Sequence, residues 1–443
     1  MSADIIELKG HLPIRTPIGH SIRIGHSAYK QLENLHAEGC LPARSVIVDA
    51  SVARFQKEFI ASLREGGAEI ILDPKVAELS ELGRFGGKAK RTPWAVPESR
   101  RPLIPSDFDV GSNADIYGQI ARYAVELGAT VVHAPTHFLR DGVTDPWFQI
   151  DRDGLVRLRA ALDREGGREI AIDYPLIIPH SKIQFLEHRL LLLRELANLP
   201  FDNLVLRLSG FGASAGPLTT KRTFQAINEF NRLGYPIILD HVDGLVSSAA
   251  LAFGIVSGWA HGIGEKGRFD ARDWHKPTAP KTGGEPFGRA VYLPVPHFDK
   301  SFKAADFEAI SKAQGGRRLL ACKDKNCCPH GLNSMFDKPK AHLAFQSFQK
   351  ANALFEVPDS RRAAHFLETE VRTAERKAGD LSHLKTGDNR LNKALADGRK
   401  RVDSLARMFE TMLENERITP PAPYYRAKSS SANDEGTLWP QCK

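Results

Sequence analysis

A chain of 443 residues with 42% hydrophobic residues buries a sizeable core unaided, and five cysteines, three of them clustered late, are not the framework of a secreted disulfide scaffold. No apolar run approaches the roughly 20 residues a spanning helix needs, and MSADIIELKG lacks the charged-then-apolar order of a signal peptide, so a membrane is excluded as partner and the cytoplasm is the expected location. The net charge of +8 favours a polyanionic partner without deciding it, because many enzymes are mildly basic.

Eight short apolar segments follow in order: VIVDAS, EIILDP, TVVHAP, EIAIDYP, NLVLRLSGFG, PIILDHVD, GWAHGIGE and RAVYLP. Each reads as a strand buried on both sides, and most end in an ionisable or glycine-rich cluster. Between them lie segments with apolar residues at helical spacing, such as ARFQKEFIASLREGG, NADIYGQIARYAVELGA and TTKRTFQAINEFNRLGY. Eight strand-helix units predict an α/β fold, a closed (β/α)₈ TIM-like barrel within residues 1–300, with strands from Val46 to Pro294 and an N-terminal extension. The upstream segment HSIRIGH competes for the place of first strand.

In such a barrel the carboxyl ends of the strands carry the chemistry. The candidates there are Asp49, Asp73, His133, Asp173, Ser209 with Gly210, Asp240 with His241 and Asp243, and His261 with Glu265. A strand-end Asp also caps or turns the chain into the next helix, and Asp73 before Pro74 suits that duller role. His133 and His137 in HAPTH can hold a metal with Asp173 or His241, although the His-x-His of metal-dependent amidohydrolases is missing. Glycines in LSGFGASAG and GIGEKG can cradle a phosphate.

Two loops on the same carboxyl face are basic and carry aromatics: Lys88, Lys90, Arg91 and Trp94 after the second strand, and Arg268, Arg272 and Trp274 after the seventh. Phosphate contact combined with base stacking uses that mixture, which makes a nucleic acid the expected partner. The alternative is a pair of solvated lids with one aromatic anchor each.

Residues 301–357 hold the sharpest local cluster. In ACKDKNCCPHGLNSMFDKPKAHL, Cys322, Cys327, Cys328, His330 and His342 offer five ligands where a structural zinc takes four, with one of the adjacent cysteines expected to be a packing residue. Residues 358–418 then read as two long charged helices forming an antiparallel hairpin, packed on the barrel or on another subunit of a homodimer. Residues 419–443 are low in apolar content and are expected to be disordered.

A barrel followed by clustered cysteines and a downstream His in a helical stretch, here KAHLAFQSF around His342, resembles the tRNA-guanine transglycosylase superfamily, including its relatives that insert deazaguanines into DNA. The family's Cys-x-Cys-x-x-Cys run appears here as Cys322 and Cys327-Cys328, and His261, Glu265 and Asp270 stand where the family has its aspartate nucleophile. The resemblance implies base exchange on tRNA or DNA: one carboxylate attacks the anomeric carbon, a base leaves, and a second carboxylate handles the proton. Asp73 and Asp240 are the residues of choice for this, with Asp243 their rival. His133, Asp173, Ser209, Gly210, His261 and Glu265 would then surround the substrate. A small-molecule lyase, hydrolase or aldolase on the same barrel, and a non-catalytic scaffold, stand as alternatives.

Overall fold

The computed structural model describes residues 15–17, 19–25, 29–41, 43–96, 100–263, 267–277, 292–415 and 425–427. In chain order the strands are β1 (Arg15–Pro17), β2 (Gly19–Ile24), β3 (Ser45–Asp49), β4 (Glu69–Asp73), β5 (Val131–His133), β6 (Ala171–Pro179), β7 (Asn203–Ser209), β8 (Ile237–Asp240), β9 (Gly258–Gly262), β10 (Tyr292–Val295), β11 (Lys300–Lys303) and β12 (Tyr425–Ala427). Strands β2 to β9 form a closed parallel barrel, with helices interleaved.

The barrel is the predicted one, shifted by one strand. HSIRIGH supplies its first strand, and RAVYLP is not a barrel strand: Tyr292–Val295 pairs antiparallel with Lys300–Lys303 as a separate ribbon. Two physical facts explain the shift. The inward positions of β2 are Ser21 and Arg23, which dilute its apolar run, whereas the prolines at 294 and 296 disfavour a central strand.

The eighth helix comes from far downstream. Helix Pro339–Phe355 packs on β2, on helix Tyr29–Ala37 and on helix Leu245–Ala252, so it occupies the outer-ring place over the seam where β9 meets β2. Its Phe348 ring meets His20 of β2 edge-on, with centroids 4.7 Å apart.

Inside the barrel the side chains follow the two-residue period of the strands. Ile47, Ile71, Val131, Val205, Ile238 and Ala260 form an apolar layer of their own. Two residues further along, the same strands present Asp49, Asp73, His133, Arg207 and Asp240. The apolar belt is thus capped by an ionic one.

Beyond the barrel, helices Arg372–Ser382 and Asn389–Asn415 pack against each other. In the stretch expected to be disordered, Tyr425–Ala427 pairs antiparallel with Arg15–Pro17; the rest of 419–443 lies outside the described residues. Gly398 on helix Asn389–Asn415 is where the ribbon turn comes closest: a Cβ there would run into the Phe298 ring. Phe298 is buried between His297 and Asp299, both at positive φ, so moving the ring off its rotamer disturbs a turn that is already strained. Gly398→Ala should therefore lose stability despite a helix-propensity gain of about 1 kcal/mol, because overpacking a fixed ring costs about 1–3 kcal/mol. Urea unfolding of the variant checks the sign.

Candidate active site and metal centre

Four charged groups at the top of the barrel make one closed network. Arg23 binds Asp240 through Nε (2.9 Å to Oδ1) and a terminal nitrogen, and Asp73 through the other (2.6 Å). Arg207 repeats the pattern from the far side, 2.9 Å from Asp240 and 3.1 Å from Asp73. All four side chains are buried. The structure therefore brings Asp73 and Asp240 together through two shared guanidinium groups. Asp73 also accepts from the Lys75 backbone N–H, so it serves the turn role as well.

The two carboxylates are held ionised. Burial works to raise the pKa of Asp73, but Lys75, Arg207 and Arg23 overcome it and keep the group well below the usual carboxylate range. At Asp240 burial is likewise overcome by Arg23 and Arg207. Asp49, next in the layer, goes the other way: burial lifts its pKa despite Lys75 at 3.8 Å and Arg23 at 3.6 Å. Burial holds His133 down at about 3 and His241 well below its ordinary value, so both imidazoles are neutral. His133 stands 4.0 Å from both Asp73 and Asp173. The layer thus combines two ionised carboxylates, one carboxyl shifted toward protonation and two neutral imidazoles.

The loop after β9 covers this layer. The N–H of Gly210 donates to the Phe269 carbonyl at 2.9 Å, that of Ala271 to the Ser209 hydroxyl at 2.9 Å, and that of Ala213 to the Gly267 carbonyl at 2.7 Å. Gly212 is required there, since a Cβ would meet the backbone of Gly267 and Arg268. Phe269, Ala271 and Trp274 close an apolar cluster with Ala77, Phe138 and Ile177. Ser209 and Gly210 therefore anchor a lid.

The other predicted residues separate. Asp243 accepts from the Gly244 N–H and lies 3.8 Å from His261 Nε2, away from the Asp73–Asp240 network. His261 points outward from β9 and packs on His20, with ring centroids 4.9 Å apart. Glu265 lies outside the described residues. His137 is committed to Asp151 at 2.6 Å and stacks on Trp147 at 3.8 Å, so it does not join His133.

Lys88, Lys90 and Arg91 are exposed, as is Arg272, and Arg268 and Arg272 both pair with Asp270. Trp94 and Trp274 are buried, Trp94 donating to the Pro74 carbonyl at 2.9 Å, and neither presents a face for base stacking in this conformation.

Sequence reasoning missed Arg23 and Arg207. The available signal was an arginine at an inward position of an apolar strand, which must find carboxylates inside the barrel because a buried charge is retained only when paired.

At the other end of the closing helix, Cys322, Cys327, Cys328 and His342 bring one ligand atom each within 4.8 Å of one another, the only group of three or more such residues among those described. Asp324 shapes the loop, accepting from the N–H groups of Asn326 and Cys327 with its carboxylate and from Cys328 with its carbonyl. His342 Nδ1 is 3.2 Å from Cys327 Sγ and 3.3 Å from Cys328 Sγ, and the two sulfurs are 3.7 Å apart. A tetrahedron with metal–sulfur bonds of about 2.3 Å has sulfur–sulfur edges of about 3.8 Å, so the donor set fits a metal ion.

The thiols alone cannot all ionise: hydrogen bonds from Cys327 and Cys328 stabilise Cys322 as thiolate, and Cys322 in turn pushes Cys327 up and Cys328 to about 12. A dication removes that conflict. Two expectations are corrected here. His330 is exposed and outside the cluster, its N–H bonded to Ser334, and both adjacent cysteines belong to the set because the turn at Asp324 aims both sulfurs at His342.

No family model matches the chain, and no curated protein matches it.

Proposed function

We propose that the protein is a base-exchanging transglycosylase acting on tRNA or DNA, with a structural zinc held by Cys322, Cys327, Cys328 and His342. The observation that carries this reading is the pairing of a carboxylate-rich barrel mouth with a Cys₃His centre on the helix that completes the barrel. Zinc suits three thiolates and an imidazole in a tetrahedron, and there it fixes the loop to the helix.

The carboxylates divide the work by their ionisation. Asp240 or Asp73, ionised, attacks the anomeric carbon; the glycosidic C–N bond breaks and its electron pair stays on the leaving base. Asp49, shifted toward protonation, gives the leaving base its proton. The incoming base then loses a proton to Asp49 and displaces the enzyme carboxylate, restoring both groups. For this Arg23 and Arg207 must release one carboxylate and the 267–277 lid must open.

The test is incorporation of labelled guanine or a 7-deazaguanine into tRNA and into duplex DNA. Incorporation by the wild type, reduced about 10²–10⁴-fold in Asp49→Asn, is the expected result. No incorporation into either nucleic acid by folded, metal-loaded protein would sink the reading. The burial of Trp94 and Trp274 favours a second one, a lyase, hydrolase or aldolase acting on a small molecule under the lid. Nucleic-acid binding that weakens steeply with salt separates the first from the second.

A further inference from the structure

A cavity of about 500 Å³ lies at the rim of the barrel, lined from β9, the loops after β7, β8 and β9, the β10–β11 ribbon, helix Pro339–Phe355 and helix Asn389–Asn415. Its size is that of small-molecule sites. Trp259, Tyr292, Phe298 and Leu343 give it flat, apolar walls.

Its polar groups are unevenly satisfied. The carboxylates on its wall all have donors: Asp243 has the Gly244 N–H, Asp299 has Arg401 and the Leu245 N–H, and Asp397 has Lys393. Several donors lack acceptors. The Trp259 indole N–H and the Arg401 Nε–H are buried without a partner, and the half-buried Lys350 makes no ion pair among the described residues. Leaving donors unsatisfied costs about 1–3 kcal/mol each, and the residues that carry these donors line one cavity with aromatic walls.

The turn forming one wall is built at some cost as well. His297 and Asp299 both sit at positive φ, a strain that concentrates at ligand sites. Gly244 and Gly398 are the positions that let Asp299 and Phe298 in.

We propose that this cavity binds a mononucleotide-sized ligand, a flat heteroaromatic ring carrying an anionic group, with the ring against Trp259 and Tyr292 and the anion at Lys350. The ring matches the aromatic walls, the Lys350 ammonium meets the anion, and the carboxylates of Asp243 and Asp299 can receive exocyclic amines. The proposal does not use the Asp49, Asp73 and Asp240 carboxylates, none of which lines this cavity.

Calorimetric titration with AMP, GMP, guanosine and indole-3-acetate tests it on wild type, Lys350→Ala and Lys350→Arg. Lys350→Arg, which keeps the charge that acts on buried Glu370 and on Asp299, should melt like the wild type, and Lys350→Ala is titrated at a temperature where its own melting curve shows it folded. At least one mononucleotide should bind, guanosine should bind GMP's site more weakly, and Lys350→Ala should lose about tenfold or more in affinity while Lys350→Arg retains most of it. Lys350-dependent binding of indole-3-acetate would support the same ring-plus-anion chemistry with a carboxylate as its source. Absence of binding by every anion, or equal binding by Lys350→Ala, overturns the proposal.

Discussion

Arg23→Met should lower the unfolding free energy by about 3–5 kcal/mol, the range for breaking a buried ion pair from one side. The methionine fills much of the space, so the loss comes from Asp73 and Asp240 being left with Arg207 as their one remaining guanidinium. The pH dependence identifies the cause. In the wild type both carboxylates titrate below their unfolded values, so their contribution is complete above about pH 4 and is lost as the pH falls further. In the variant one carboxyl should titrate above its unfolded value, and the folded state then binds a proton that the unfolded chain has already released. Its stability should fall as pH rises, so the deficit should be larger at pH 8 than at pH 5. Urea denaturation at both pH values measures it, and a deficit below 1 kcal/mol that is the same at both would refute the account. Asp73→Asn in the Arg23→Met background should recover part of the loss.

Loss of the proposed zinc is the second large expected effect. His342→Ala and Cys328→Ser should be purified without bound zinc, whereas His330→Ala should keep about one zinc per chain, as a four-ligand site without His330 requires. An ion present at about a thousandfold over its dissociation constant contributes about 4 kcal/mol, and a chelator should remove that much from the wild type. Elemental analysis with thermal unfolding reads both quantities. Zinc retained in His342→Ala, or lost in His330→Ala, would refute the ligand assignment. The effect should reach the barrel, because His342 lies in the helix that packs on β2.

The barrel was legible in the sequence because seven of its strands are apolar runs that end in polar clusters, and burial on both faces makes such runs continuous and conspicuous. GHSIRI was harder, since its inward residues are Ser21, bonded to Ser45, and Arg23, which serves the ionic layer rather than the apolar one. The acids at strand ends could be read from position alone, but their partners could not. Register, which sets Asp73 and Asp240 around Arg23 and Arg207, is a property of the closed sheet. Composition also misjudged the loops: Trp94 and Trp274 sit among basic residues in the sequence, yet both turn inward and leave the charges outside. The Cys/His cluster was visible as a cluster, whereas the choice of four from five depended on the turn at Asp324.

The position of helix Pro339–Phe355 has a consequence for how the chain reaches its native state. Gly19 pairs with Gly258 to close the barrel, and the helix that covers this seam is made only after the ribbon and the cysteine loop. During synthesis β2 and β9 must wait with one face uncovered until residue 355 has left the ribosome. Contacts this distant in sequence form late and slowly. The ordering leaves apolar surface of the nascent barrel uncovered during that interval, and it makes the meeting of His342 with the three cysteines one of the last events of folding.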